Sequence, residues 1–469
     1  MSWSLNILEK HGNVSSMTSV ASSRRILLLV GGDILAYIFS LIFTLTIRYG
    51  AIPHRALFLS HIPSFSILFI LFLLVSFSAG LYDKQSTLIT GRIQGLLARV
   101  QVINFIIGIA FFYFAPVAIA PKANLFIYIL VSTVILFIWR VIMFPVVNQS
   151  RKQAAILVGS GDDIQDIFEE VNGSTHYSLT FKEHVQPQPD VKQMVDAIAD
   201  AVRRTGASIL VVDLHNKSIE SAMPFLYSLI FSGVQVLDAS KLYESLFDRI
   251  PLSMVGEKWL VENSGAALGS RRVYDILKRA MDIVLGGIAG LISLVVYPFV
   301  WASIKGEDGG ALFIFQERIG KNGKTIRIAK FRSMTADDGG AYGDNGGKTK
   351  LKVTRTGKIT RLTRIDELPQ LWSVIKGDQS LIGPRPELPA LVSIYEKEIP
   401  YYNARHLIKP GLSGWAQIYH RAHPHHGVSV DDTRDKLSYD LYYIKHRSLM
   451  LDIRIALQTA KALISKQGV

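Results

Sequence analysis

Residues 283–304 read IVLGGIAGLISLVVYPFVWASI, an uncharged run that reaches the length of about twenty residues needed to cross a bilayer as a helix. Its flanks argue against crossing. Arg271, Arg272, Lys278 and Arg279 precede it, and Lys305, Arg318, Lys321 and Lys324 follow it. Because cations gather on the cytoplasmic side of membrane segments, both ends of the run are assigned to that side. Pro298 lies inside, where it removes a backbone donor and disfavours a straight helix by about 3 kcal/mol. A re-entrant helix over 283–304 that enters, bends and leaves on one face satisfies both observations. An ordinary fifth span would instead carry the basic C-terminal half to the opposite side.

Upstream, four apolar segments at roughly 26–47, 63–82, 100–120 and 124–147 lack polar faces, which predicts a membrane α-helical bundle of four spans over residues 1–150. Arg24 and Arg25 precede the first, Lys84, Arg92 and Arg99 separate the second from the third, and Arg151 and Lys152 follow the fourth. Both ends of the bundle are therefore expected in the cytoplasm. The polar stretch to Arg25 and the long apolar segment after it do not fit a cleaved signal peptide.

Between the bundle and the run, apolar stretches at Ala154–Val158, Ile209–Asp213 and Val234–Leu237 alternate with helical patterns at 162–172 and 191–205. This is βαβ patterning, so residues 151–265 are expected to form a small parallel α/β domain of Rossmann-like type. Its first turn, Gly159-Ser160-Gly161-Asp162-Asp163-Ile164, resembles a phosphate cradle with its third glycine missing. A structural or regulatory domain and a nucleotide-binding one both remain open. A polar glycine-rich stretch at 337–348 reads as a loop.

Composition narrows the chemistry. Of 469 residues 49% are apolar and 19% charged, a balance unusual for a soluble protein. The net charge of +13 calls for an anionic partner, and the hydrophobicity favours an acidic membrane face or a phosphorylated substrate over nucleic acid. Absence of cysteine excludes disulfides, thiolate zinc sites and cysteine nucleophiles.

Beyond the run, Arg355, Lys358, Arg361 and Arg364 recur at every third residue and lead into Asp366-Glu367-Leu368-Pro369. On a continuous helix they form a drifting cationic stripe. Two acids beside several cations can bind a divalent ion and phosphates together, since Mg²⁺ commonly takes one or two carboxylates plus phosphate oxygens. A carboxylate can also attack phosphorus and hold it covalently. The cations are expected to lower the pKa of Asp366 and keep it ionised. In Gly383-Pro384-Arg385-Pro386, Pro384 and Pro386 hold one arginine rigidly, a setting that aims a guanidinium at a phosphate or ring. His420, His423, His425 and His426 cluster without a nearby acid, which suits a solvated or substrate-lip loop better than a metal site.

Several motifs occur in order from about residue 271 to the C-terminus: Lys278-Arg279-Ala280-Met281-Asp282, Gln316-Glu317-Arg318-Ile319-Gly320, Lys330-Phe331-Arg332-Ser333-Met334 and Asp366-Glu367-Leu368-Pro369-Gln370-Leu371. Lys376-Gly377-Asp378, Gly383-Pro384-Arg385-Pro386, Lys409-Pro410-Gly411-Leu412-Ser413-Gly414-Trp415-Ala416-Gln417 and Tyr439-Asp440-Leu441-Tyr442-Tyr443 complete the series. In these residues the chain resembles the bacterial sugar transferase family, the monotopic phosphoglycosyl transferases. With four membrane helices and an α/β domain in front, it is similar to the large members, the polyprenyl-phosphate hexose-1-phosphate transferases.

That resemblance implies a mainly α catalytic domain at 271–469 on the cytoplasmic face of a bacterial inner membrane, containing the re-entrant helix. It implies a two-step displacement in which Asp366 attacks the sugar-bearing phosphorus of a UDP-sugar, UMP leaves, and undecaprenyl phosphate takes the phosphosugar. Glu367 is implied to bind Mg²⁺. Arg361, Arg364, Pro384, Arg385, Pro386, Lys330 and Arg332 are implied around the phosphates or nucleotide, and Lys278, Arg279, Asp282 and Pro298 at the membrane threshold. Partners are then the UDP-sugar, undecaprenyl phosphate and inner-membrane lipid, with a homodimer also compatible and no nucleic acid. The pathway is exopolysaccharide, capsule or O-antigen synthesis, and the sugar is left open. The family often carries serine before the helix-breaking proline, whereas Tyr297 stands here.

Two other classes compete. A membrane-anchored nucleotide-sugar dehydratase needs an intact glycine fingerprint and a tyrosine four residues before a lysine; Tyr274 and Lys278 have that spacing but lie far from the glycine turn. A noncatalytic membrane scaffold has no need of the motif series after residue 316.

Overall fold

The computed structural model describes residues 14–82, 90–114, 122–144, 152–174, 177, 179–268, 272–335, 352–420 and 429–464. They divide into two compact units, Met1–Leu246 and Phe247–Val469.

In the first unit, helices α1 (Val14–Tyr49), α2 (Arg55–Ser78), α3 (Thr90–Phe114) and α4 (Lys122–Phe137) contain four stretches long and apolar enough to cross a membrane: Ile26–Tyr49, Arg55–Ser78, Ile93–Phe114 and Asn124–Met143. The second and third begin upstream of the expected 63–82 and 100–120. Leu57, Phe58 and Leu59 already belong to α2, which continues through Pro63. The bundle is apolar inside and out. Tyr37, Phe65, Phe69, Phe72 and Tyr128 form an aromatic core, while Leu35, Phe39, Phe43 and Ile47 point outward. That is the distribution expected of a protein solvated by lipid.

One charged pair is buried in this bundle. A π-helical turn at Ile138–Met143 follows α4 and carries Arg140, which is 3% exposed. Arg140 Nε donates to Asp33 Oδ1 at 3.0 Å and Nη1 donates to the Leu81 carbonyl at 2.9 Å. The Tyr82 hydroxyl donates to Asp33 Oδ2 at 2.6 Å, and its ring lies 4.8 Å from the guanidinium carbon.

After the bundle, β1 (Gln153–Val158), β2 (Leu179–Val185), β3 (Ile209–Val212) and β4 (Gln235–Asp238) form a parallel sheet in the order β2-β1-β3-β4. Helices α5 (Asp162–Gly173), α6 (Val191–Thr205) and α7 (Met223–Phe231) connect them. Every residue of β3 is buried, which is why its sequence is unbroken Ile-Leu-Val-Val rather than alternating. The expected βαβ pattern is present, but the compact unit ends at Leu246 instead of near 265. Ile250 and Trp259 are buried in the second unit's core with Tyr402, Trp415 and Tyr443. Among the described residues the sheet ends at β4, and those side chains pack in the large apolar core of the second unit.

The second unit opens with α8 (Glu257–Leu268), α9 (Arg272–Ser293) and α10 (Tyr297–Asp308). The last two meet at a 50° bend across a break at 294–296. Pro298 falls in the first turn of α10, where its missing N–H costs no intrahelical bond. Tyr297 packs against Phe331, ring centroids 4.8 Å apart, and so fills the elbow of the bend. Gly286 and Gly290 are buried on the inner face of α9. A Cβ on Gly286 would come within 3.3 Å of Val374, so these glycines let a short helix, α11 (Leu371–Lys376), approach closely. The opposite face exposes Val284, Leu285, Ile288, Leu291 and Ile292.

Candidate active site

A hairpin of β5 (Phe313–Ile319) and β6 (Thr325–Phe331) forms one wall of the site, with Gln316 paired to Ile328 and Ile314 to Lys330. Ile328 and Lys330 are two residues apart and therefore share a face of β6. The floor follows the helix Arg355–Leu362, whose N-terminus is capped by Thr354 and by Glu307, which accepts from the Arg355 and Thr356 amides. The helix stops before the cationic stripe is complete. Arg364 adopts φ +57°, a left-handed conformation uncommon outside glycine, and the chain then makes a 3₁₀ turn at Ile365–Gln370. Asp366 and Glu367 thus sit on a tight turn anchored by Ile365 and Leu368, which pack against Phe331, Val300 and Ile304. The stripe predicted for one continuous helix is broken there, because the αL residue redirects the chain.

Glu367 is the hub. Its Oε1 accepts from Arg385 Nη2 at 2.8 Å and from Lys330 Nζ at 3.3 Å, and Arg364 Nη1 stands 4.0 Å away. Burial works to raise its pKa, yet Arg385, Lys330 and Arg364 overcome this and hold the carboxyl well below its ordinary range. Lys330 shows the converse. Desolvation, reinforced by Arg385 and Arg318 against the pull of Glu367, pushes its pKa down to about 8.

Asp366 differs sharply from its neighbour. It is 8% exposed, and its Oδ1 is buried with no hydrogen-bond partner among the described residues. Its pKa is raised, first by burial and then by the Glu367 charge, with Lys330, Arg364 and Arg361 opposing. The expectation that the cations would bring its pKa below the ordinary value is corrected: they act in that direction, but burial and the Glu367 charge outweigh them, whereas at Glu367, which contacts them directly, they prevail. A buried carboxylate oxygen without a donor is costly, of the order of 1–3 kcal/mol.

Arg318, Ile328, Lys330, Glu367, Gln370, Arg385, Pro386, Gly411 and Leu412 line a small, partly open pocket. It brings together Lys330, Glu367, Arg385 and Pro386 of the expected site, with Arg361, Arg364 and Asp366 close by in the same electrostatic cluster. Arg332 is not among them: it turns away to pair with Asp308 at the end of α10. Arg318 and Gln370 were not foreseen as lining residues. The motif Gln316-Glu317-Arg318 contained the signal, since the hairpin carries Arg318 to the Pro386 carbonyl at 3.3 Å.

Lys278, Arg279 and Asp282, implied at the membrane threshold, have their partners within the second unit. Arg279 donates to the Val374 and Ile375 carbonyls, both at 2.7 Å, capping α11. Asp282 accepts from Ser380 Oγ at 3.1 Å and from the Leu381 amide at 3.0 Å. Lys278 and Tyr274 both donate to Asp452, which is 2% exposed. These groups fasten the base of α9 to the catalytic unit, and the Tyr274–Lys278 spacing is consumed by that buried carboxylate.

The described residues contain no cluster of three or more metal-ligating side chains. The Asp366–Glu367 pair nonetheless fits a magnesium ion that takes its remaining ligands from substrate phosphates, because the unpartnered Asp366 Oδ1 lies beside a carboxyl held in its charged form. His420 is buried with its ring 6.4 Å from that of Tyr439, while His423, His425 and His426, like residues 337–348, lie outside the described residues.

In the first unit, the glycine turn is crowded. A Cβ on Gly159 would come within 2.7 Å of Ile164, and Gly161 takes φ +100°. Asp213 and Asp238 stand at the neighbouring strand ends with pKa values raised mainly by burial.

Residues 273–466 match the family model described as bacterial sugar transferase. The chain is 37% identical over 267 residues to a UDP-N-acetylgalactosamine-undecaprenyl-phosphate N-acetylgalactosaminephosphotransferase of Aeromonas hydrophila, covering 55% of this chain and 59% of that one. It is 34% identical over 195 residues to a UDP-glucose:undecaprenyl-phosphate glucose-1-phosphate transferase of Caulobacter vibrioides, covering 42% and 72%. With an exopolysaccharide production protein of Rhizobium leguminosarum bv. phaseoli the identity is 36% over 188 residues, covering 39% and 93%. The chain spans about half the length of several curated relatives it matches. It belongs to the bacterial sugar transferase family.

Proposed function

We propose that the chain transfers a sugar 1-phosphate from a UDP-sugar to undecaprenyl phosphate, through a phosphosugar held on Asp366. The observation that carries this reading is the pairing of a buried, unpartnered carboxylate oxygen on Asp366 with a neighbouring pocket of Lys330, Arg385 and Arg318. Asp366 attacks the sugar-bearing phosphorus, the bond from that phosphorus to the bridging oxygen breaks, and UMP departs with the electron pair. An oxygen of undecaprenyl phosphate then attacks the same phosphorus and the Asp366 carboxylate leaves. Lys330 and Arg385 compensate the diphosphate charge, while Arg364 and Arg361 favour the ionised form of Asp366. Magnesium held by Glu367, with Asp366 adjacent, would neutralise phosphate charge.

A water-soluble donor and a lipid acceptor meet only at a membrane surface. The bent pair α9–α10, with its exposed apolar face and cations on both flanks, supports a re-entrant insertion from the cytoplasmic side of a bacterial inner membrane. The exposed stripe Met450, Ile453 and Leu457 on the C-terminal helix, Leu449–Ile464, supports contact with the same leaflet. The aspartates around the crowded glycine turn disfavour a pyrophosphate, so the α/β domain is assigned a structural or regulatory part. The reaction is the first membrane step of exopolysaccharide, capsule or O-antigen assembly.

The test uses the purified full chain in nanodiscs with Mg²⁺ and a panel of UDP-sugars. UMP release that requires undecaprenyl phosphate for turnover, with a phosphosugar mass adduct on Asp366 when lipid is withheld, is the expected result. Turnover without an adduct, under kinetics that demand donor and lipid bound together, would assign the attack to the lipid phosphate.

A further inference from the structure

The segment Gly383–Glu387 is held with unusual completeness. The Gly383 amide donates to the Ser413 carbonyl at 2.8 Å, and the Pro384 carbonyl accepts from the Gly411 amide at 2.9 Å. The Pro386 carbonyl accepts from Arg318 at 3.3 Å, and the Glu387 carbonyl from the Ile319 amide at 2.9 Å. The carbonyl left in the middle is that of Arg385, the residue whose guanidinium reaches Glu367. Its partner is a side chain: Arg405 Nη2 donates to it at 3.0 Å.

Arg405 is 3% exposed and belongs to no motif that the sequence singles out. Its guanidinium also meets Asp440 Oδ2 at 2.7 Å, Glu387 Oε1 at 3.8 Å and the Tyr402 hydroxyl at 2.5 Å. Burial alone would lower its pKa, but Tyr402, Asp440 and Glu387 raise it above the ordinary value, so the charge is retained. A buried cation on these terms is a poor source of stability, because desolvation offsets most of the attraction. What it supplies is geometry. A planar fork presents donors in fixed directions, here to the Arg385 carbonyl and the Tyr402 hydroxyl with the Asp440 carboxylate alongside as an ion pair, whereas a lysine ammonium is a single point charge whose three donors rotate.

We infer that Arg405 is a positioning residue for Arg385, and that Asp440 in turn orients Arg405. Resting on the proposed reaction, this places the Tyr439-Asp440 part of the tail motif behind the substrate-facing arginine: Asp440 fixes the Arg405 fork, the fork fixes the Arg385 carbonyl, and the Arg385 side chain is set to reach the phosphates. The role is distinct from that of Asp366, since Arg405 contacts no reacting atom.

The experiment measures UDP affinity and donor turnover in the full chain for Arg385→Lys, Arg405→Lys and their double variant, with Asp440→Asn as a milder lesion of the same link. Arg405→Lys is expected to weaken UDP binding about tenfold and to add little further loss in a chain that already carries Arg385→Lys. Asp440→Asn should shift UDP affinity in the same direction by less. Losses that add fully in the double variant, or an Arg405→Lys chain that melts normally and binds UDP as the unaltered protein does, would overturn the inference. UDP binding is read without turnover, so failure of the covalent mechanism leaves this test intact. Should Arg405→Lys not fold, coupling between Asp440→Asn and Arg385→Lys decides the matter by the same criterion.

Discussion

Two buried charge clusters in this chain both set carboxylates against cations and arrive at opposite conditions. In the membrane bundle, Asp33 receives Arg140 and the Tyr82 hydroxyl, and Arg140 spends a further donor on the Leu81 carbonyl. In the catalytic unit, Glu367 collects Lys330, Arg385 and Arg364 while Asp366 beside it keeps an oxygen without a donor. The first cluster is closed and needs nothing more. The second carries an excess of cations around one carboxylate and a deficit around the other, a condition suited to an anionic ligand. Charge burial alone does not separate a structural network from a chemical one; the distribution of unfilled hydrogen-bonding capacity does.

The largest expected effect breaks the open cluster. Asp366→Asn preserves shape and removes the nucleophilic oxygen, so turnover should fall by roughly a thousandfold or more while UDP affinity stays near that of the unaltered chain. A rate within tenfold of normal would remove Asp366 from the chemistry. Breaking the closed cluster should have the opposite signature. Asp33→Ala leaves Arg140 buried and unpaired, and should destabilise the bundle by about 3–5 kcal/mol in thermal or denaturant unfolding. The rate per folded molecule should persist, and an unchanged unfolding midpoint would show that the pair contributes no stability.

A smaller effect sharpens the comparison through pH. The Lys330 amine is charged below its depressed pKa of about 8 and loses its proton as pH rises through that value. Compensation of phosphate charge is then lost, so kcat/KM for the donor should decline on the alkaline side of about 8. Lys330→Arg should move this limb upward, because guanidinium stays charged. On the acid side, the raised pKa of Asp366 moves its limb upward from the ordinary aspartate position. A profile flat through pH 8 in the unaltered chain would contradict the depressed lysine.

Much of the site was readable in advance because it is local in sequence. Asp366 and Glu367 adjoin Arg361 and Arg364, and the two prolines around Arg385 announce a rigid segment. What local reading misjudged was sign and direction. The cationic series looked like one helical stripe, but the left-handed Arg364 ends it, and the charges converge on Glu367 rather than on Asp366. Arg332, two residues from Lys330, seemed equivalent to it until the strand ended at Phe331 and the side chain turned to Asp308. The partners of Lys278, Arg279 and Asp282, which are Asp452, Val374, Ile375 and Ser380, lie far along the chain and are not legible from local sequence.

By itself the sequence determined whatever depends on short-range periodicity and composition. The four apolar spans, the βαβ alternation, the bend ahead of Pro298 and the acidic pair beside its arginines are all written within windows of about twenty residues. Only the tertiary structure decided which charges are shared and which are left over. That Arg405 holds the Arg385 carbonyl, that Asp440 orients Arg405, and that Asp366 is left with an unpartnered oxygen depend on contacts between residues distant in the chain. The physical reason is that burial is a collective property. A carboxylate's pKa and a guanidinium's aim depend on water excluded and donors supplied by elements that meet only when the core around Tyr402, Trp415 and Tyr443 has closed.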